Sequence, residues 1–140
     1  MNEISRAAQQ LRDLSETELD ILCRRHDVRV LTLFGSAARV GDRPPDRSAS
    51  DLDIGVIFQP GSRRDLQGLI EDLIDTLGTE QIDVLDAERA SETARLRAIA
   101  DGEPLYQSEA MAYANALMAA EALFMETAWM RRQALESLSP

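Results

Sequence analysis

A chain of 140 residues with 44% hydrophobic and 29% charged residues has the make-up of a soluble globular protein: one domain, with room for an appendage. Its net charge of −10 argues against direct binding of nucleic acid, which needs clustered cations, and suits a partner that is itself basic. No apolar run approaches the ~20 residues that cross a bilayer, and the opening MNEISRAAQQLRDLSE lacks the layout of a signal peptide, so no membrane contact is expected.

A single cysteine, Cys23, leaves no internal disulfide and fits a reducing cytoplasm, the expected location. The one histidine, His26, rules out a multi-histidine metal site. Every side-chain cation other than that histidine is an arginine, for which a coding bias is a simpler explanation than function.

Ile4, Ala7, Ala8 and Leu11 fall at helical spacing and predict a first helix. Ser15 followed by Glu18 is a capping-box pattern that opens a second helix, ending near His26 with Leu19, Leu22 and Cys23 as its apolar stripe. His26 then serves the end of that helix, where the dipole favours partial positive charge. Two apolar runs, Val28–Phe34 and Leu52–Phe58, read as strands. The loop Val40–Ser50 between them carries Gly41, Pro44 and Pro45. It is either a plain surface loop or a flap that brings Arg39, Arg43 or Arg47 to a bound phosphate.

Pro60-Gly61 breaks the chain after the second strand, and Ser62 with Asp65 caps a helix. Leu66, Leu69, Ile70, Leu73, Ile74 and Leu77 form its sheet-facing stripe, and Gly78 stops it. A third strand, Glu80–Asp86, contains Asp83 and Asp86. Aspartate is disfavoured in strands, so Asp83 is either an edge charge or a functional group. Ser91 caps a helix to Ala100, and Glu103–Tyr106 adds a short strand or lies across the sheet. Glu109–Leu138 reads as one long helix on which Met111, Met118 and Met125 recur every seven residues. Trp129 lies beside the apolar stripe of Leu117, Phe124, Ala128 and Leu135. Such a surface either packs on its own domain or receives a partner, possibilities that include self-association and a hetero-oligomer.

The stretch LTLFGSAARVGDRPPDRSASDLDIGVIF carries the chemistry. In a strand, residues two apart share a face about 6.6 Å from one another, so Asp51 and Asp53 point together, opposite Leu52, Ile54, Val56 and Phe58. Paired carboxylates suit the two divalent cations, about 3.5–4 Å apart, of phosphoryl-transfer sites. Gly35-Ser36 closes the first strand and opens a short helical turn, where close backbone approach and free N–H groups suit phosphate.

Gly35-Ser36 followed by Asp51-x-Asp53 resembles the polymerase-β-type nucleotidyltransferases. FGSAAR followed by SDLDIGV, continuing through QIDVLD to DGEPLY, resembles more closely the minimal nucleotidyltransferases (MNT), often the antitoxin half of HEPN–MNT toxin–antitoxin pairs. Two departures stand out: fourteen residues separate Ser36 from Asp51 where the family usually has ten, and Val40 replaces a usual glycine.

The resemblance implies a mixed α/β (α+β) fold with three or four strands, helices largely on one face and a long C-terminal helix. The nucleotidyltransferase domain would occupy residues 1–107 and a helical extension 108–140. It implies Asp51, Asp53 and Asp83 as catalytic metal ligands for two Mg²⁺, and Gly35, Ser36 and Arg39 as nucleotide-binding residues. It further implies ATP as substrate, with a tyrosine hydroxyl of a cognate HEPN toxin ribonuclease as AMP acceptor. Two alternatives stand beside it. A catalytically weak antitoxin of this fold could neutralise its toxin by contact through the Met-rich helix, and a stand-alone enzyme could modify a small molecule, although such enzymes usually need a second domain. Gly35-Ser36 is not the Gly-x-Ser-x-Gly elbow of hydrolases, and a lysine-free chain has no Walker motif.

Overall fold

The computed structural model describes residues 2–138. The order is α1 (Glu3–Asp13), α2 (Glu16–Arg25), β1 (Val28–Phe34), a 3-10 turn (Gly35–Ala37), β2 (Leu52–Phe58), α3 (Leu66–Leu77), β3 (Ile82–Asp86), α4 (Glu92–Ala100), β4 (Glu103–Gln107), α5 (Ala112–Glu126) and α6 (Ala128–Ser137). The helix starts follow from local chemistry. Asn2 accepts the Ser5 N–H at 2.8 Å to begin α1. The Ser15–Glu18 capping box opens α2, with both reciprocal bonds formed. Asp65 and Ser91 cap α3 and α4, and α3 ends at Gly78 in the left-handed region, φ +70°.

The sheet has the order β3-β2-β1-β4. Strand β1 runs antiparallel to both β2 and β4, whereas β2 and β3 are parallel and joined through α3. The sheet is therefore mixed and four-stranded, and Glu103–Gln107 is a strand. The larger core fills one face, where α1, α2 and α3 cover Leu31, Leu33, Leu52, Ile54, Val56 and Phe58. On the opposite face α4 and the start of α5 cover Val30 and Ile57 through Ile99 and Ala112. Gly55 permits this second layer: a Cβ there would meet Thr32 Oγ1 at 2.6 Å and the Ala98 Cβ at 3.1 Å. Cys23 is buried in the larger core, and burial, ahead of the nearby Asp20 charge, pushes its thiol up to about 12.

The C-terminal helix differs from the single span expected. It is divided at Thr127 into α5 and α6. Thr127 Oγ1 donates to Leu123 O at 2.8 Å, a back-bond that bends helices. Arg131 donates to Phe124 O, the carbonyl that residue 128 would use in an unbroken helix, and its guanidinium lies 3.5 Å from the Phe124 ring centroid. The first turns of α5 are anchored, with Tyr113 Oη donating to Ile99 O at 2.8 Å. Beyond them Met118, Met125, Trp129, Met130 and Leu135 are all more than half exposed, and Met125 is 74% exposed.

Leu73 is fully buried between α3 and the sheet. Leu73→Ala is expected to destabilise the protein by about 2–5 kcal/mol, measured by urea unfolding.

Candidate active site

Sheet register assembles the carboxylates. Asp53 of β2 pairs with Asp83 of β3 on one side and with Phe34, the last residue of β1, on the other. The chain leaves Phe34 into Gly35 at φ +73°, and a Cβ there would overlap Asp53 Oδ2. Glycine is thus required twice, for the left-handed conformation and for the close approach. Asp51 lies just before β2, and its charge is felt at Asp53.

Burial first, then the charges of Asp83 and Asp51, raise the Asp53 carboxyl above its ordinary 3.8, with Arg97 of α4 opposing them. Asp86, the other aspartate of β3, has a structural role: its carboxylate is paired with Arg64 at 3.1 Å. Asp51, Asp53 and Asp83 have no ion-pair partner within 4.0 Å among the described residues.

These three donors are hard carboxylate oxygens, the chemistry that Mg²⁺ requires. Among the described residues no three His, Cys, Asp or Glu side chains converge closely enough to enclose a metal ion. Asp51 and Asp83 are exposed, however, and the repulsion felt at Asp53 is what a divalent cation relieves. The chemistry of the donors fits such an ion, which would draw the three carboxylates closer than they stand here.

The turn is braced from behind. Arg12 of α1 donates through Nε to Glu103 Oε2 at 2.8 Å and through Nη2 to Ala37 O at 2.9 Å. Glu103 Oε1 in turn accepts the Arg39 N–H at 3.0 Å. The Arg12 guanidinium, the Arg39 N–H and the Arg39 charge outweigh burial and hold the Glu103 carboxyl below its usual range. Asp46 N–H adds a bond to Ser36 O at 2.7 Å.

Gly35, Asp51, Asp53 and Asp83 thus meet at one end of the sheet, with Ser36 exposed beside them. Arg39 stands apart, because its side chain lines a cavity with α1 that includes none of the three aspartates. The loop that was a candidate flap rests on α1, where Asn2 Nδ2 donates to Ala49 O at 3.2 Å. Sequence reasoning missed Arg97, whose helix carries no motif. Ala98 next to it is fixed on the carboxylate face by the Thr32 hydroxyl, which donates to Ala98 O at 2.8 Å. It also missed the Arg12–Glu103 brace, whose members lie 91 residues apart.

Carboxylates on adjacent strands beside a glycine turn are the residue types that nucleotidyl or phosphoryl transfer uses. The family model described as "Polymerase beta, Nucleotidyltransferase" matches residues 16–110, and the chain belongs to that family. No curated protein sequence matches it. Among solved structures, a chain of the MntA–HepT toxin–antitoxin pair, in a mutant form, superposes with a TM-score of 0.68 at 16% identity, covering 89% of this chain and 98% of that one. A toxin–antitoxin crystal structure with AMP-PNP gives a TM-score of 0.67 at 19% identity, again covering 89% and 98%. A complex of tri-AMPylated Shewanella oneidensis HEPN toxin with MNT antitoxin gives 0.54 at 17% identity, covering 91% and 98%. At these identities the likeness is one of fold.

Two outcomes are expected from this geometry. The Asp53 proton is bound more tightly in the folded chain, so its contribution to stability is present below the ordinary carboxylate value and lost as pH rises through the raised one. Asp53→Asn should therefore stabilise the metal-free protein at pH 7 relative to wild type. The difference should vanish at pH 3, and millimolar Mg²⁺ should raise the melting temperature of wild type only, all read by thermal melts. Gly35→Ala should destabilise the chain by about 1–3 kcal/mol in urea, because a strained turn is forced against a carboxylate.

Proposed function

We propose that this protein is an MNT-type antitoxin that transfers AMP from ATP to a tyrosine hydroxyl of a cognate HEPN toxin ribonuclease. The observation that carries the reading is the in-register pairing of Asp53 with Asp83 beside Gly35, within a chain of the nucleotidyltransferase family. The fold likeness to toxin–antitoxin complexes, one with AMP-PNP and one with a tri-AMPylated toxin, supports the choice of nucleotide and partner.

Asp51, Asp53 and Asp83 would hold two Mg²⁺ ions, which when bound neutralise the triphosphate charge. Gly35 and Ser36 hold the β- and γ-phosphates, and Arg39 reaches them by rotation of its exposed side chain. Arg97 adds a positive charge on the carboxylate face. The acceptor oxygen attacks the α-phosphorus, the bond to the bridging oxygen breaks, and pyrophosphate departs. Asp83, exposed and without an ion-pair partner among the described residues, receives the hydroxyl proton. The work of the site is positioning and charge neutralisation.

A second reading, neutralisation by contact alone, rests on the exposed Met118, Met125 and Trp129, apolar groups that suit a toxin helix. One experiment separates the two. The protein is incubated with candidate HEPN toxin, ATP and Mg²⁺, and the toxin is weighed by mass spectrometry. One or more AMP additions are expected, falling at least 100-fold in rate in Asp51→Asn/Asp53→Asn. A tight complex with no mass gain selects the contact reading, which Met125→Glu/Trp129→Glu should then abolish.

A further inference from the structure

The long loop between Ser36 and Asp51 has a destination. It is tied to the turn through Asp46 and to the start of α1 through Ala49. Around the first of these ties, Pro44 to Arg47 face α1 across a cavity of about 510 Å³. That volume falls within the roughly 300–1,000 Å³ of small-molecule sites. The cavity lies on the α1 side of the sheet, with Leu52 and Ile54, whereas Asp53 and Gly55 face α4. It is therefore separate from the carboxylate site, and the turn forms the wall between them.

Its chemistry is uneven. Ala8, Pro44 and Pro45 supply apolar walls, and Gln9, whose Nε2 donates to Asp13 at 2.9 Å, leaves its carbonyl oxygen as an acceptor. Arg39 and Arg47 bring two guanidinium groups with no carboxylate partner within 4.0 Å among the described residues. The lining carboxylate, Asp46, is committed to its own loop, accepting the Ser48 N–H at 2.9 Å and the Ser48 hydroxyl at 2.7 Å. In a chain of net charge −10 this is a local excess of cations over an apolar floor. Guanidinium forks match phosphate oxygens, and proline rings offer a flat apolar surface to a heterocycle.

We propose that this cavity is a second ligand site that takes a phosphate-bearing small molecule of mononucleotide size. Arg47 grips the phosphate, Arg39 adds its charge in the orientation it holds here, turned away from the three aspartates, and the apolar body rests on Pro44, Pro45 and Ala8. Ala37 and Arg39 belong to the turn held by Arg12 and Glu103, so an occupant stiffens the backbone that faces Asp53. The site does not depend on the AMP-transfer reading.

The test uses the full chain carrying Asp51→Asn/Asp53→Asn in EDTA, so that metal-dependent nucleotide binding is removed. AMP is titrated by calorimetry and by amide NMR, with adenosine and inorganic phosphate as comparison probes. The expected result is one AMP per chain, with shifts at Ser5, Gln9, Ala37 and Arg47. Arg47→Ala should weaken AMP at least tenfold, as should Gln9→Leu, adenosine should bind at least tenfold more weakly, and phosphate should compete. Arg47 and its neighbours are exposed, so a thermal melt matching the parent is expected of Arg47→Ala. Equal binding of adenosine, shifts confined to the Gly35, Asp53 and Asp83 amides, or no heat at millimolar AMP would overturn the proposal. A chain that binds AMP here but modifies no toxin loses the transferase reading and keeps this one.

Discussion

Everything at the carboxylate end of this sheet depends on how closely the backbone at Gly35 approaches the Asp53 carboxylate. The contact leaves no room for a side chain and sets the turn directly against β2. It is also enforced from outside. Arg12 holds the Ala37 carbonyl, Glu103 holds the Arg39 N–H, and these two side chains hold each other. A charge-assisted pair with neutral backbone groups on either side satisfies each member, so the turn is fixed without leaving a buried polar atom of either side chain unmatched.

The arrangement is unfavourable in isolation. Three carboxylates stand near one another, and the middle one is partly withdrawn from water. A fold selected for stability alone would place an apolar or paired residue at Asp53, as it pairs Asp86 with Arg64 on the neighbouring strand β3. The contrast between Asp83 and Asp86 is instructive: the same residue type on one strand is neutralised at one position and left unneutralised at the other. Retained repulsion among carboxylates is relieved by a cation, so an unpaired cluster favours a cation where a paired carboxylate does not.

Much of the fold was legible because its signals are local. The limits of β1 and β2, the capping box of α2, the Leu66–Leu77 stripe and the glycine stop of α3 all follow from neighbours within a few residues. Strand alternation suggested grouping Asp51 with Asp53, although Asp51 lies just before β2, and Asp83 was picked out by the family resemblance, its poor strand propensity leaving an edge charge equally open. What could not be read depends on distant partners. Nothing near Arg12 announces Glu103, and nothing in α4 announces that Ala98, seated against Gly55, delivers Arg97 to the carboxylate face. The break at Thr127 depends on Arg131 reaching back to Phe124, a competition that hydrophobic periodicity does not register. The loop's resting place on α1 was likewise hidden, because turn residues specify a loop but not which surface it lies on.

The Arg12–Glu103 brace also sets an order of events during synthesis. Helix α1 leaves the ribosome first and can fold early through its local contacts, but its guanidinium has no carboxylate until β4 has emerged and joined β1. The parallel pairing of β3 with β2 likewise waits for α3 to be complete. A nascent or prematurely ended chain that stops before Glu103 holds Gly35, Ser36, Asp51, Asp53 and Asp83 yet lacks the clamp that fixes the turn. The carboxylate end is therefore finished late, and an incomplete chain carries these residues without their geometry.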